Sequence, residues 1–534
     1  MNLLTISLLS ILFFLWINLA LQFFIVHKWL VLLAMIFSLL MAFWLFRNER
    51  EPIKFKKKYL LAIPLLIPVL WQAFRVLYIE DRKLWVHNVN NLGDLPYHLG
   101  LANYLQHSNF WPKNYIFANE SLKYPFAVDY LHALLQNFLS YEYLYPLLTA
   151  LGLVFISCIS IRLVGVGFLY VLFCNGSFWL LPQEQVSWKN FLLAIYIPQR
   201  GYLLALPIGL FLLSRLWQNI SDKKIFTLKD AVIYGIMLGS LAWVHLHTYV
   251  FFAVFTTYLF LRWRSKNLFL LLAIGAIIGF PFVATSTDLF TKASSIRWQW
   301  VWDKPEGEAT LTFLFKNLGF LLLLPLSLPF FKRPEVRYWL VGTSSLFALF
   351  LVCILSMWPW DNIKILLWAY LAFMFVFLQE IPYKKLKVFI VVLLSAPGFY
   401  TIFHSTFIKP NPQVIFYLDE VDAYKNWFQG ENTEAVYIAT PTYNHPVFMY
   451  GAKVLMGYEG HLWSHGVNYV SVLKKYEEMQ HFTTIDEWRK FAQQTGAQYL
   501  VYSPREEQAF GRFLSVEYLQ KVYSYQDLVI YKID

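Results

Sequence analysis

The chain has 534 residues, of which 58% are hydrophobic, 19% aromatic and 14% charged, with a formal net charge of +11. A soluble globular protein carries about a quarter charged residues, so this composition excludes a soluble enzyme and points to a protein that crosses a membrane many times. The excess Lys and Arg fall in short loops between apolar runs, where the positive-inside rule places them, so the charge does not imply nucleic acid.

Taken in chain order, apolar runs occur at 3–26, 29–46, 59–78, 141–161, 163–181, 199–217, 231–246, 247–262, 267–287, 310–330, 338–357, 363–380 and 388–407. Each approaches the roughly 20 residues needed to span a bilayer, giving about 13 transmembrane helices. The first run is too long for a signal peptide and lacks a small-residue cleavage site, so it reads as a retained anchor. Basic clusters at Arg47–Lys58, Lys223-Lys224 with Lys229, Arg262–Lys266, Lys332–Arg337 and Lys384–Lys387 mark the cytoplasmic side. This puts the N-terminus inside and everything after about residue 408 outside. The cysteines Cys158, Cys174 and Cys353 lie within apolar runs and read as small hydrophobes.

Three regions follow: an N-terminal hairpin with its basic loop (1–58), a helical core (59–408) with a large external loop at 79–128, and an extracytoplasmic α/β domain (409–534). In the last, charges rise and long apolar runs stop. Ala435–Ala439, Lys453–Gly457, Ala497–Tyr502 and Leu528–Ile533 read as strands. Residues 484–495 read as a helix with a capping box, Thr484 and Glu487.

The polar residues near the membrane are few, and intramembrane or boundary charges are expensive. Asp94 and His98 stand in the long loop. With a helix starting at Leu95, a spacing of four puts them on one face; Asp94 alone also suits an N-cap. Further on come Leu122–Phe126 with Tyr124, the pair Gln199-Arg200, the element His245-Leu246-His247 and the run Asp361-Asn362-Ile363-Lys364. Two histidines at i, i+2 in an extended turn converge on a phosphate or a metal, or else snorkel at the interface. Arg and Lys suit a lipid phosphate, although Asp361 and Lys364 could simply pair with each other. In the tail, Gly457–Gly466 holds His461, Trp463 and His465 among three glycines. That pattern fits a sugar-contacting loop or a buried turn of the domain.

These motifs, in this order, resemble integral-membrane glycosyltransferases of the C-type (GT-C) fold, and more narrowly a group of multi-spanning bacterial and archaeal proteins of that kind. The resemblance covers most of the chain and implies transfer of a sugar from a polyprenyl-phosphate carrier to a glycan, lipid or protein acceptor outside the cytoplasm, in a bacterial inner membrane. It implies Asp94 with His98 as catalytic residues, Asp94 being the base. Arg200, His245, His247 and Lys364 would bind the donor phosphate, supported by Gln199, Tyr124, Asp361 and Asn362, with His461, Trp463 and His465 on the sugar or acceptor. A divalent metal is the one cofactor the resemblance admits, although no Asp-x-Asp or Asp-Glu pair surrounds Asp94. A ligase or polymerase of lipid-linked glycans would use the same cationic groups. A lipid or glycan transporter would call for inverted repeats, which the sequence does not show.

Overall fold

The structure, a computed structural model, describes all residues except 1, 22–27, 47–55, 109–110, 177–184, 222–225, 287–295, 431, 512–515 and 534. The basic clusters at 47–55 and 222–225 therefore lie outside the described residues. The chain forms two compact units. A helical unit comprises Met1–Val76, Pro125–Val128 and Tyr145–Asn411; an α/β unit comprises Leu77–Tyr124, Asp129–Leu144 and Pro412–Asp534.

In the helical unit and at its margin, eight helical stretches among the described residues are long and apolar enough to cross a membrane: Lys57–Phe74, Tyr141–Leu163, Tyr202–Ser221, Lys266–Ser286, Thr310–Phe330, Pro334–Val352, Pro359–Glu380 and Lys384–Ile408. Two further apolar helices, Asn2–Leu21 and Lys28–Phe46, precede them. Helices Leu228–Val244 and Leu246–Trp263 meet at His245, beside the division expected between the runs 231–246 and 247–262. The run 163–181 departs from expectation. Its helix, Val166–Phe173, has eight residues, about 12 Å of rise, which is too short to span. The chain breaks at Cys174–Gly176, where Asn175 Nδ2 donates to the Leu172 carbonyl at 2.7 Å.

Two helices form the core of this unit. In Tyr202–Ser221, 83% of the apolar window is buried, and in Pro359–Glu380, 94%; the other six do not exceed 50%. They close on each other at Gly209, where a Cβ would lie 2.1 Å from the Trp368 ring. A side chain there would drive the indole out, since a packed core tolerates little extra volume.

The α/β unit joins segments far apart in sequence. A two-residue hairpin links strands Tyr78–Glu80 and Lys83–Val86, and the second pairs antiparallel with Gln413–Tyr417. The turn residues Asp81 and Arg82 are left-handed (φ 49° and 57°), and Arg82 reaches Asp419 and Asp422 at 2.9 and 2.5 Å. The external loop thus folds with the tail, and the boundary drawn at 408/409 does not separate them. The reason is the edge of Lys83–Val86, whose backbone groups need a partner strand, and the tail supplies it. A second sheet orders Lys453–Val454, Val436–Ile438, Tyr499–Tyr502, Leu528–Lys532 and Gln520–Tyr525. The first three are parallel and the last two antiparallel. Helix Ile485–Thr495 starts at the Thr484–Glu487 capping box, with both reciprocal bonds formed.

A buried carboxylate ties this unit together. Glu506 is fully buried, and its Oε1 accepts from Thr440 N (2.9 Å), Thr440 Oγ1 (2.8 Å) and His445 Nε2 (3.0 Å). Its Oε2 accepts from Ser503 Oγ at 2.5 Å. Val447 N–H donates to His445 Nδ1, which leaves the ring proton on Nε2, facing Glu506. Burial opposes ionisation, but the His445 ring, the Ser503 hydroxyl and the Thr440 N–H outweigh it and hold Glu506 at about 2, below its ordinary 4.5. The folded pKa is the lower one, so the stabilisation is complete above the unfolded value and lost as pH falls through the folded one. Hydrogen exchange of the full-length protein should show protection around 440–447 and 503–507 declining between about pH 4.5 and pH 2. Glu506→Gln should lower protection at neutral pH by about 2 kcal/mol and flatten that pH dependence.

Candidate functional site

The helical unit places the expected phosphate-binding residues where its helices break. Exposed backbone groups in an apolar interior must find partners, and buried asparagines provide them here. Asn362 Nδ2 donates to the carbonyls of Phe350 (2.6 Å) and Cys353 (2.9 Å), and its Oδ1 accepts from Leu355 N–H at 3.0 Å. This closes the end of helix Pro334–Val352 against the start of helix Ile363–Glu380. Asn317 Oδ1 accepts from the N–H groups of Ser187 and Trp188, and Asn190 Nδ2 faces the carbonyls of Phe173, Asn175 and Gly398. Asn362 is therefore a positioning residue for the turn that carries Lys364.

Lys364 opens the most buried helix and pairs with Asp361 at 2.8 Å, both largely buried. Arg200 stands just before the other central helix and is completely buried. Its guanidinium donates to Thr149 Oγ1 at 2.8 Å and lies 5.1 Å from the centroid of the Tyr145 ring. Gln199 accepts from Tyr202 N–H through its carbonyl, part of the tight turn into that helix. Tyr202 then links the segments: its ring lies 4.4 Å from that of His245, and its hydroxyl donates to the Lys364 carbonyl at 3.2 Å. At Gly201 a Cβ would lie 2.6 Å from the Val244 carbonyl oxygen.

His245 and His247 do not share an extended turn. His245 is extended (φ −163°, ψ 103°) and is the N-cap of Leu246–Trp263, while His247 already lies in the first helical turn. Their ring centroids are 5.8 Å apart. Trp368 Nε1 donates to Thr248 Oγ1 at 2.6 Å, and that hydroxyl is 2.7 Å from His245 Nδ1, which also accepts from Thr248 N–H. With Nδ1 an acceptor, the His245 proton belongs on Nε2. His247 lies within electrostatic reach of both Lys364 and Asp361.

The α/β unit holds the remaining residues. Helix Asn91–Leu105 begins three residues before Asp94, so Asp94 is a first-turn residue and not the N-cap. The early start follows from the turn ahead of it: Asn88 Oδ1 accepts from Asn90 N–H, and the Asn88 carbonyl accepts from Asn91 N–H. A carboxylate in the first turn is favoured by the helix dipole. Asp94 and His98 do share a face, but His98 Nδ1 bonds Asp129 Oδ1 at 2.8 Å, with both side chains buried. Asp129, in sequence a candidate second acid after Asp94 and close to a span, is here the partner of His98.

Around His98 lies a packed set of rings. Tyr97 contacts Tyr115, Tyr124, His461 and His465, with centroids 5.7, 5.3, 5.1 and 5.2 Å away. Tyr124 lies 4.8 Å from His465, and the rings of His461 and His465 are nearly parallel at 6.2 Å. Trp463, on the same short helix as His461, is exposed. Burial, and then His98, pushes His461 down to about 4, so the ring is neutral at physiological pH. Burial, with Tyr115 and Tyr124 beside it, pushes the Tyr97 phenol well up, so it stays protonated. Sequence reasoning passed over Tyr97, and it did not pair Asp129 with His98. An aromatic next to His98 carried no distinctive spacing, and Asp129 is 31 positions from its partner.

Among the described residues no group of three or more His, Cys, Asp or Glu side chains is placed to hold a metal ion. No protein-family model matches this chain, and no curated protein matches it.

Two consequences are measurable. Asn362→Leu leaves one N–H and two carbonyls without their partner and should cost about 2–4 kcal/mol in the unfolding of the detergent-solubilised protein. Asp129→Ala strands a buried His98 and should cost about 3 kcal/mol, whereas the double change His98→Leu with Asp129→Leu should recover most of that loss.

Proposed function

We propose that the protein is a membrane glycosyltransferase of GT-C type that moves a sugar from a polyprenyl-phosphate donor to an acceptor hydroxyl on the extracytoplasmic side. One observation carries this reading: the two most buried helices of the helical unit begin at Arg200 and Lys364, with His245 and His247 beside the Lys364 turn. Fixed positive groups in a water-poor setting are suited to a lipid phosphate and to the charge that grows on it as it leaves.

In the reaction, the acceptor oxygen attacks the anomeric carbon, a new C–O bond forms, and the bond from that carbon to the phosphate oxygen breaks. The electron pair leaves with the polyprenyl phosphate. Asp94 takes the acceptor proton, and its first-turn position on helix Asn91–Leu105 sets it on a rigid element. His98, held by Asp129, is the adjoining polar group on that helix. The basic loops support a cytoplasmic N-terminus, an extracytoplasmic tail and an inner-membrane location.

The test is transfer of radiolabelled sugar from a polyprenyl-phosphate donor by membranes bearing wild-type or variant protein at matched expression. Asp94→Asn should lower turnover about 10²- to 10⁴-fold, and Arg200→Ala and Lys364→Ala about 10²-fold each. Unchanged transfer by Asp94→Asn would remove Asp94 as the base, and full activity of both cation variants would sink the phosphate site.

A further inference from the structure

Helix Asn91–Leu105 carries two buried side chains whose polar atoms have no hydrogen-bond partner among the described residues and that the catalytic roles above do not use. Asn91 is completely buried, and neither its Oδ1 nor its Nδ2 has a hydrogen-bond partner among the described residues. Tyr97 is 3% exposed, and its hydroxyl likewise has none. Folded proteins keep few such groups, because each gives up its hydrogen bonds to water and receives nothing in return. Two of them within seven residues of one helix call for an explanation.

Their position supplies one. Residues three and four apart are neighbours on a helix surface. Asn91 therefore lies one turn before Asp94, and Tyr97 and His98 lie one turn after it. The carboxylate sits between two unsatisfied groups, a carboxamide that both donates and accepts and a phenol that does the same. Near Tyr97 are the faces of Tyr124, His461 and His465, and His461 Nε2 also approaches the Gly93 position, 3.8 Å from where a Cβ would be. Polar groups on either side of a carboxylate, with ring faces alongside, suit a ring bearing several hydroxyls: the polar edges read the hydroxyls and the aromatic faces cover the C–H surface.

We infer that Asn91 and Tyr97 form a hydroxyl-reading pair that binds the sugar ring of a polyol-class substrate, fixing the hydroxyl that Asp94 receives. The inference rests on the glycosyltransferase reading for the identity of that hydroxyl, but the pair is assigned from its own burial and spacing. Neither residue is a proton-transfer group here. They position the substrate, and their loss acts on substrate binding before it acts on chemistry.

Replacement by an apolar residue of similar size separates this role from a structural one. Removing an unsatisfied buried group does not weaken the fold, whereas removing one that holds an internal water or a neighbour does. Asn91→Leu and Tyr97→Phe should therefore unfold at the wild-type temperature or above it in detergent, while kcat/KM for sugar transfer falls at least about tenfold, mainly through KM for the acceptor. A lower unfolding temperature for Asn91→Leu would overturn the inference by showing that the carboxamide supports the fold. Wild-type kinetics in both variants would overturn it as well. A second measurement keeps the two proposals apart: thermal shift with a panel of free monosaccharides at millimolar concentration. Wild-type protein stabilised by a sugar, with the shift absent in Asn91→Leu, supports the pair without any polyprenyl-phosphate donor; that shift together with no sugar transfer by wild-type membranes would sink the transferase reading alone. Normal transfer by Asn91→Leu with loss of transfer by Asp94→Asn would sink the pair alone.

Discussion

Every break in an apolar helix leaves N–H and carbonyl groups that lipid or a hydrocarbon core cannot satisfy, and the helical unit depends on how that need is met. Buried asparagines meet it. Asn175 closes the helix that stops at Phe173, Asn190 binds the carbonyls of Phe173 and Asn175, Asn317 holds Ser187 and Trp188, and Asn362 joins the end of one helix to the start of the next. A carboxamide suits this task because it donates and accepts at once and carries no charge to desolvate. Without these contacts the breaks would each cost several kcal/mol, and unbroken helices would be the better solution.

The breaks in turn locate the cations. Arg200 stands at irregular backbone just ahead of one central helix, Lys364 lies in the first turn of the other, and His245 is extended between two others. Charged groups at such depth need fixed partners: Thr149 and the Tyr145 ring for Arg200, and Asp361 for Lys364. The Lys364–Asp361 pair leaves a cation whose charge is balanced at rest, which lowers the cost of keeping it buried. The chain from Trp368 through Thr248 to His245 ties one of the histidines to the same central helix.

The α/β unit solves a related problem with buried histidine–carboxylate hydrogen bonds. His98–Asp129 and His445–Glu506 are buried ion-pair geometries, each joining parts of the unit distant in sequence. In the second, four hydrogen bonds converge on one carboxylate, so the group is well satisfied and the network favours a single arrangement. Asn91 and Tyr97 contrast with it on the same physical measure, since both are buried without partners among the described residues.

Much of this was legible in the residues themselves. Uniformly apolar runs, alternating strand segments and the Thr484–Glu487 capping box are local signals, because hydrophobic periodicity and capping act over a few residues. The candidate residues were likewise visible as polar groups too costly to be incidental near a membrane. Composition and motif alone, however, could not show that the run 163–181 breaks at Cys174, since an apolar segment reads the same whether it continues or stops against a buried Asn175. Nor could they show that the loop after residue 77 pairs with Gln413–Tyr417, that Asp129 is the partner of His98, or that Asn362 is a staple. Those are contacts across tens to hundreds of positions. The sequence by itself determined which segments are apolar enough for a membrane and which residues are chemically capable. Only the tertiary structure decided which of them meet, because a hydrogen bond or ion pair is set by distance in space, and that depends on every element packed between.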